Sequence, residues 1–134
     1  MIQIENRTHR RLDATFVAGV SVVSGIRGWF MKNPQFECLT RDVSIRGMKI
    51  VSSRPLSDGA AVNLWITLPE EGKSEAIRLR GRVCWTMPNS VTGQFVAGIQ
   101  VGDRPARSVA IWAGSIRERI CEQFRHDSRQ ESIC

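Results

Sequence analysis

Strict alternation of apolar and polar residues is the feature that most limits what this chain can fold into. Every second position between residues 62 and 68 is apolar, and the same period recurs in residues 77–85 and 93–101. The apolar positions of the first segment are Val62, Leu64, Ile66 and Leu68. A period of two places these side chains on one face of a β-strand and the polar residues on the other. The sequence therefore predicts a β fold in which each strand buries one face.

Three further segments, nearer the start of the chain, also have the character of strands. Residues 14–24 are rich in valine and have no helical period, and short apolar runs occupy residues 36–43 and 47–52. Turn signals separate the segments, among them Gly25 and Gly28 after the first segment and residues 55–59 before the fourth. Six strands of this length joined by short turns are typical of an antiparallel barrel or sandwich.

The last part of the chain is the segment with a helical pattern. Asp103 can cap a helix, and Pro105 suits its first turn. Apolar residues then recur every three or four positions, at Val109, Trp112, Ile116, Ile120 and Phe124. This pattern predicts a helix over about residues 104–125 that packs on the outside of the barrel or on a partner. Residues 126–134 are polar and are expected to fray. Residues 1–13 are expected to form a flexible basic arm before the barrel domain of residues 14–125.

Length and composition argue against several other classes of protein. The chain has 134 residues, enough for one domain, and 42% of them are hydrophobic, enough for a core. The charge-free stretch at residues 14–26 is shorter than the roughly 20 residues that a membrane-spanning helix needs. No signal-peptide pattern surrounds that stretch. We therefore expect a soluble, cytoplasmic protein without membrane insertion.

The cysteines and histidines predict neither a metal site nor an enzyme. Four cysteines and two histidines are too widely separated to give a metal-ligand spacing, and reduced thiols are expected. They are Cys38, Cys84, Cys121, Cys134, His9 and His126. Neither histidine has a nucleophile or an orienting partner at a motif spacing, so the sequence predicts no catalytic residue and no cofactor.

Positive charge is concentrated near the start of the chain. The formal net charge is +6, and residues 1–54 hold nine of the 19 Lys and Arg but only four of the 13 Asp and Glu. A local basic cluster favours an anionic ligand or surface. A solvated arm that only improves solubility is the alternative on charge alone.

Two short patterns lie in this basic region. The first is Arg7-x-x-x-Arg11, and the second is Asp42-x-Ser44-x-x-Gly47 at the junction of the second and third predicted strands. The first pattern is unspecific alone, since it recurs at residues 78/82 and 125/129, whereas the second occurs once. In this order, and in this strand context, the two patterns resemble the ligand-binding signature of the PilZ domain, a bacterial receptor for cyclic di-GMP.

The resemblance extends over most of the chain. Residues 56–69 with their Ser-Asp-Gly turn, the Arg-Gly-Arg-Val strand at 80–83 and the Val-Ala-Gly-Ile strand at 96–99 fall where PilZ sequences have similar features. The resemblance implies a six-stranded antiparallel PilZ-type β-barrel with a C-terminal α-helix. It also implies ligand-binding roles for the motif residues, which are Arg7, Arg11, Asp42, Ser44 and Gly47. Arg10 and Arg46 stand at variable positions inside the motifs and are expected only to add positive charge.

The residue types suit a cyclic dinucleotide on chemical grounds. An arginine fork can bond guanine O6 and N7, or a phosphate, in a bidentate manner. The Asp42 carboxylate can accept from guanine N1–H and N2–H. If the strand continues through Asp42 and Ser44, the two side chains share a face, and Ser44 can then bond a phosphate or a base edge. Gly47 allows either a positive φ or a close backbone approach.

The implied function is that of a sensor. Ligand would neutralise Arg7 and Arg11 and fold the arm over the barrel, which changes the surface shown to an unidentified effector protein. The structural alternative for the arm is plain surface charge, and for Asp42 and Ser44 it is a turn stabilised by bonds to the backbone.

Two other functions stay open at this point. One is a PilZ-fold protein interaction module that does not bind the nucleotide, which the intact motifs disfavour. The other is a basic barrel for single-stranded nucleic acid, a class that interleaves aromatic and basic residues on its strands. This chain instead alternates arginines with aliphatic residues and has no tyrosine, a pattern that disfavours nucleic acid as a partner. Arg78, Arg80 and Arg82 share one strand face, which we expect to be solvated unless it lines a groove for a nucleotide or partner.

Overall fold

The computed structural model describes Leu12 and residues 14–24, 33–68 and 76–133. Six strands and one helix follow each other along the chain. They are β1 (Val17–Val22), β2 (Phe36–Arg41), β3 (Gly47–Ser52), β4 (Ala61–Thr67), β5 (Ala76–Asn89), β6 (Gln94–Val101) and α1 (Ala106–Ile133). The strands form a closed antiparallel barrel in the order β1-β2-β3-β6-β5-β4. The predicted six-stranded barrel with a C-terminal helix is therefore confirmed.

The alternating residues fill the inside of the barrel. In β4 the side chains of Val62, Leu64 and Ile66 are fully buried, and in β5 Leu79 is fully buried opposite Leu64. Apolar residues of the other strands complete the same core, including Val20, Ile50 and Ile99. Burial of this apolar surface is the main favourable contribution to the free energy of folding.

Strand β5 is longer than its alternation predicts. The alternation in the sequence ends at Trp85, but Met87 and Asn89 still pair with Val96 and Gln94 of β6. The pairing register shifts between Val83 and Trp85, which marks a β-bulge. The β5–β6 hairpin thus extends beyond the bulge as a paired ribbon.

Helix α1 also differs from its prediction at both ends. It begins at Ala106 and continues to Ile133, past the expected end near residue 125 and through the segment that was expected to fray. No glycine or proline follows Gly114 in the sequence, so no residue with a strong helix-breaking tendency interrupts it. Polarity alone is therefore a poor signal for a helix end. Within the described ranges, no helix is long and apolar enough to cross a membrane.

The first half of α1 packs on the barrel as the apolar stripe predicts. Trp112 and Ile116 are fully buried, and the Trp112 ring meets the Phe16 ring edge-on, with 6.2 Å between the ring centroids. The guanidinium carbon of Arg119 lies 5.2 Å from the centroid of the Phe16 ring. The helix is thereby fixed next to the segment that leads into β1.

Candidate ligand-binding groove

The chain leaves β2 abruptly at the start of the second motif. Strand β2 ends at Arg41, and Asp42 has a φ of 51°. This left-handed conformation is uncommon for residues other than glycine, and Asp is among the residues that tolerate it best. The premise that the strand continues through Asp42 and Ser44 is therefore wrong. The two side chains accordingly differ in exposure: Asp42 is half-buried, whereas Ser44 is buried.

Ser44 and Gly47 close the tight turn that follows, which we call the motif turn (residues 42–47). The Ser44 N–H donates to the Gly47 carbonyl oxygen at 2.7 Å, and the Ser44 hydroxyl lies 3.3 Å from the same oxygen. A Cβ atom on Gly47 would lie 3.2 Å from the Ile99 carbonyl oxygen. Close approach to β6, and not a positive φ, is therefore the reason for glycine here.

The N-terminal segment is joined directly to this turn. The Leu12 N–H donates to the Val43 carbonyl oxygen at 2.6 Å, and the Val43 N–H donates to the Leu12 carbonyl oxygen at 2.8 Å. Both side chains are buried in the core. The structure thus brings together Asp42, Ser44, Gly47 and the residue that follows Arg11 in the sequence. The predicted arm residues Arg7, Arg10 and Arg11 lie outside the described residues.

A groove of about 640 Å³ opens beside Asp42 on the outer surface of the barrel. One side, which we call the motif wall, consists of Arg41, Asp42 and Lys49. The opposite side, the hairpin wall, consists of the apolar Trp85, Met87 and Val96. The groove is completed by Val51, Asn89, Thr92 and Gln94.

Strand register explains why these residues lie side by side on one surface. Arg41 pairs with Lys49, Lys49 pairs with Gly98, and Gly98 pairs with Trp85, so the four residues form one row across β2, β3, β6 and β5. A row of this kind brings two cations and one aromatic ring to the same surface. The next row brings Val51 beside the apolar residues of the hairpin wall, since Val51 pairs with Val96 and Val96 with Met87.

Trp85 is the residue of this groove that sequence reasoning missed. Its apolar neighbours Leu79 and Val83 point inward, and alternation predicts the same for Trp85. The bulge at Cys84 reverses the phase, so that Trp85 points outward and is 39% exposed. Its indole lies over Gly98, where a Cβ atom would fall only 2.2 Å from the indole nitrogen. The glycine of the Val-Ala-Gly-Ile strand was the available sequence signal.

The cations of the groove also differ from the predicted helper. Arg46 forms an ion pair with Asp103, at the start of the connection to α1. Arg46 does not line the groove, whereas Arg41 and Lys49 do. Proximity to the motif in the sequence favours Arg46, but strand pairing decides which cation reaches the groove.

The second arginine cluster lies on another part of the barrel surface. Arg78 is half-buried, with its guanidinium carbon 5.4 Å from the centroid of the Trp65 ring, and Arg82 donates to the Gly59 carbonyl oxygen at 2.8 Å. Arg80, half-buried, stands between them on the same face. None of the three lines the groove beside Asp42.

The groove has the chemistry of a site for an anionic, aromatic ligand. Arg41 and Lys49 can bond phosphate oxygens, and the carboxylate of Asp42 can accept hydrogen bonds from a base edge. The exposed indole of Trp85 offers a face for stacking. Within the described ranges, no three His, Cys, Asp or Glu side chains come together as metal ligands would. Burial raises the pKa of the Cys38 thiol, which faces the core behind the motif wall, to about 12.

Comparison with known proteins agrees with this architecture. The sequence model of the PilZ domain family matches residues 5–110. Among solved structures, the inhibitor of motility MotI/DgrA of Bacillus subtilis superposes with a TM-score of 0.67 and 18% identity. That match covers 89% of this chain and 53% of MotI. The MrkH–c-di-GMP complex of K. pneumonia superposes with a TM-score of 0.58 and 11% identity, over 95% of this chain and 56% of MrkH.

These two likenesses are likenesses of fold, and this chain spans a little over half the length of either neighbour. No curated protein sequence matches the chain. The family match covers both motifs and every strand of the barrel.

Proposed function

The chain belongs to the PilZ domain family, and from this premise we propose that it is a receptor for cyclic di-GMP that binds the nucleotide in the groove between Asp42 and Trp85. MrkH, one of its structural neighbours, is in complex with c-di-GMP. The proposal extends that ligand to this chain. It assigns binding and signalling, without catalysis, to a protein that we propose acts in the cytoplasm.

The pairing of Leu12 with Val43 is the observation that carries the proposal. Two hydrogen bonds tie the residue after Arg11 to the residue after Asp42. Consecutive Cα atoms are about 3.8 Å apart, so the chain cannot carry Arg11 far from the motif turn. A ligand in the groove beside Asp42 is therefore within reach of a long arginine side chain that starts at this point.

Each part of the nucleotide has a proposed partner. Arg41, Lys49 and the arm residues Arg7 and Arg11 would contact the phosphates and the guanine O6 and N7 atoms, with Arg10 adding positive charge. Asp42 would accept from guanine N1–H and N2–H, and a guanine would stack on Trp85. Ser44 and Gly47 belong to the site because they shape the turn that carries Asp42.

In the proposed sensor, the part of the arm that precedes Leu12 is the moving part, because Leu12 itself is paired with Val43. In the absence of ligand, the arginines of the arm repel Arg41 and Lys49 of the groove. A bound dinucleotide reverses this balance, because its phosphates attract both sets of cations, and the arm closes over the groove. The closed arm presents a new surface to an effector protein.

Titration calorimetry with cyclic di-GMP tests this function, with GTP and a short oligonucleotide as competing ligands. We expect saturable binding of cyclic di-GMP only. Arg11→Ala should weaken it at least tenfold, which corresponds to about 1.4 kcal/mol. Arg125→Ala is the matched control, since it removes an exposed arginine of another Arg-x-x-x-Arg pattern on α1, and it should leave the affinity unchanged. Absence of binding by the folded wild-type protein would contradict the proposal and leave a protein interaction module as the function.

A further inference from the structure

Two side-chain contacts join the motif turn to the C-terminal part of the molecule. The Trp112 indole N–H of α1 donates to the Ile45 carbonyl oxygen at 3.1 Å. The Arg46 guanidinium pairs with Asp103, which lies between β6 and α1. Ile45 and Arg46 are the two variable positions between Ser44 and Gly47. The motif therefore leaves unspecified the two residues through which the turn is joined to the C-terminal part of the molecule.

The same helix also contacts the segment that leads away from Leu12. Trp112 meets Phe16 edge-on, and the guanidinium carbon of Arg119 lies 5.2 Å from the centroid of the same ring. The Phe16 N–H in turn donates to the Thr40 hydroxyl of β2 at 2.8 Å. One buried residue, Trp112, thus touches both the motif turn and the segment between Leu12 and β1.

We propose that Trp112 is a positioning residue of the ligand-binding site, assisted by the Arg46–Asp103 pair. This inference rests on the proposed function. Trp112 is fully buried, and neither Trp112 nor Asp103 lines the groove, so neither touches a ligand there. They act by fixing the turn in the conformation that turns Asp42 out of β2 and into the groove. Because coupling between binding and conformation is reciprocal, bound nucleotide must also strengthen the docking of α1.

Trp112→Phe, compared with Ile116→Val, separates positioning from general stability. Phenylalanine keeps an aromatic ring against Phe16 but cannot donate to Ile45, whereas Ile116→Val trims a fully buried residue of the same helix. Affinity for cyclic di-GMP is measured by calorimetry at a temperature where unfolding curves show each variant folded. Loss of one hydrogen bond that orders the turn should weaken binding about threefold to tenfold in Trp112→Phe. Ile116→Val should stay within about twofold of wild type.

Asp103→Asn gives a second test that depends on sign and does not disturb the core. Asp103 is a negative charge near a site for an anion. If Asp103 acted through its charge alone, its neutralisation would leave the affinity for cyclic di-GMP unchanged or raise it. If the pair positions the turn, Asp103→Asn should instead weaken binding about twofold. The exchanged pair, Arg46→Asp with Asp103→Arg, should restore affinity, because the pair is re-formed with its ends reversed.

The outcomes distinguish this inference from the function on which it rests. Wild-type protein that does not bind cyclic di-GMP overturns both. The inference alone is overturned if the wild-type protein binds cyclic di-GMP but the variants do not behave as expected. In that case Trp112→Phe binds no more weakly than Ile116→Val, and Asp103→Asn binds as tightly as wild type or more tightly. As the reciprocal measurement, hydrogen exchange of residues 106–120 should slow when cyclic di-GMP is added to wild type. At a ligand concentration that just saturates the wild type, the same segment should respond much less in Asp42→Ala, because that variant is then mostly unbound.

Discussion

The two walls of the groove are built in different ways. The motif wall is charged, and the turn behind it is fixed by the Leu12–Val43 pairing, by the Ser44–Gly47 bond and by Trp112. The hairpin wall is apolar and stands on the part of the β5–β6 ribbon that lies beyond the bulge. Its side chains are open to solvent, with Trp85 39% and Met87 61% exposed.

Because of this difference, we expect the two walls to contribute to ligand binding in different ways. A charged group on a fixed turn, such as Asp42, discriminates between ligands, because an unsatisfied hydrogen bond at a fixed position costs free energy. An exposed aromatic ring accepts any flat base and contributes mainly through stacking. We therefore expect the motif wall to select guanine and the hairpin wall to add affinity with little selectivity.

Loss of Asp42 is expected to have the largest effect on this comparison. Asp42→Ala removes a charged acceptor, and hydrogen bonds to charged groups contribute about 1.5 to 3 kcal/mol, so affinity for cyclic di-GMP should fall about 10- to 100-fold. Asp42→Asn keeps a residue that tolerates the positive φ, and it separates loss of the acceptor from distortion of the turn. Calorimetry of both variants with cyclic di-GMP and cyclic di-AMP measures the effect. If both variants lose affinity without any loss of preference for guanine, the motif wall does not select the base.

Trp85→Ala should have the next largest effect, on affinity alone. Stacking on an aromatic side chain contributes about 1 to 3 kcal/mol per base, and a partly exposed ring belongs at the lower end, so a loss of about tenfold is expected. The same titrations with cyclic di-GMP and cyclic di-AMP should show an unchanged ratio of affinities. Trp85→Phe retains a ring and should recover part of the loss. A change in base preference would mean that Trp85 takes part in selection and that the contrast between the walls is wrong.

Gly98→Ala tests the position of Trp85 without removing it. The added methyl group would fall 2.2 Å from the indole nitrogen, so the indole must move off β6. We expect about threefold weaker binding, smaller than for Trp85→Ala because the displaced ring can still reach a base. Gly114→Ala is the matched control, since nothing lies within 4 Å of its added methyl group. Equal affinities of Gly98→Ala and wild type would show that the position of the indole on Gly98 is not needed.

The cysteines near the two walls should also differ in their reactivity towards an alkylating reagent. This difference should have little effect on ligand binding. Cys38 lies behind the motif wall and its pKa is raised to about 12, whereas Cys84 is exposed at the bulge below the hairpin wall. The thiolate is the reactive form, so iodoacetamide at pH 8 should modify Cys84 and spare Cys38 until the protein unfolds. Peptide mass spectrometry reads out both sites. Rapid modification of Cys38 in the folded protein would contradict a fixed motif wall.

The raised pKa of Cys38 also predicts a dependence of stability on pH. The thiol of an unfolded chain ionises near pH 9, and in the folded protein near pH 12. Between these values the unfolded state releases a proton that the folded state retains. The free energy of unfolding should therefore fall as the pH rises above about 9, and Cys38→Ala should remove that part of the decline.

Sequence patterns predicted the barrel because alternation was strict where the core was deepest. Val62, Leu64 and Ile66 have no plausible arrangement except one buried strand face, and the motif marked Asp42 directly. The outward turn of Trp85 could not be predicted, since a single extra residue at Cys84 inverts the phase of everything after it. The positive φ of Asp42 could not be predicted either, because most residues that precede a turn keep their strand conformation.

Strand register accounts for the remaining differences at the site. Arg41 and Lys49 face Trp85 only because β3 pairs with β6, and no spacing along the chain encodes that neighbour. Arg46 lies closer to Asp42 in sequence than Lys49 does, yet it bonds Asp103 instead of lining the groove. Charge near a motif is therefore a weaker guide to a site than pairing across the sheet.

The most direct test of the central claim is a titration of the ¹⁵N-labelled protein with cyclic di-GMP, followed by two-dimensional NMR. The account predicts that the indole N–H signal of Trp85 and the backbone signals of Asp42, Lys49 and Gly98 shift together and saturate at one ligand concentration. Signals of Arg78, Arg80 and Arg82 on the other arginine face should stay in place. Shifts confined to that face, with the groove signals unmoved, would contradict the account.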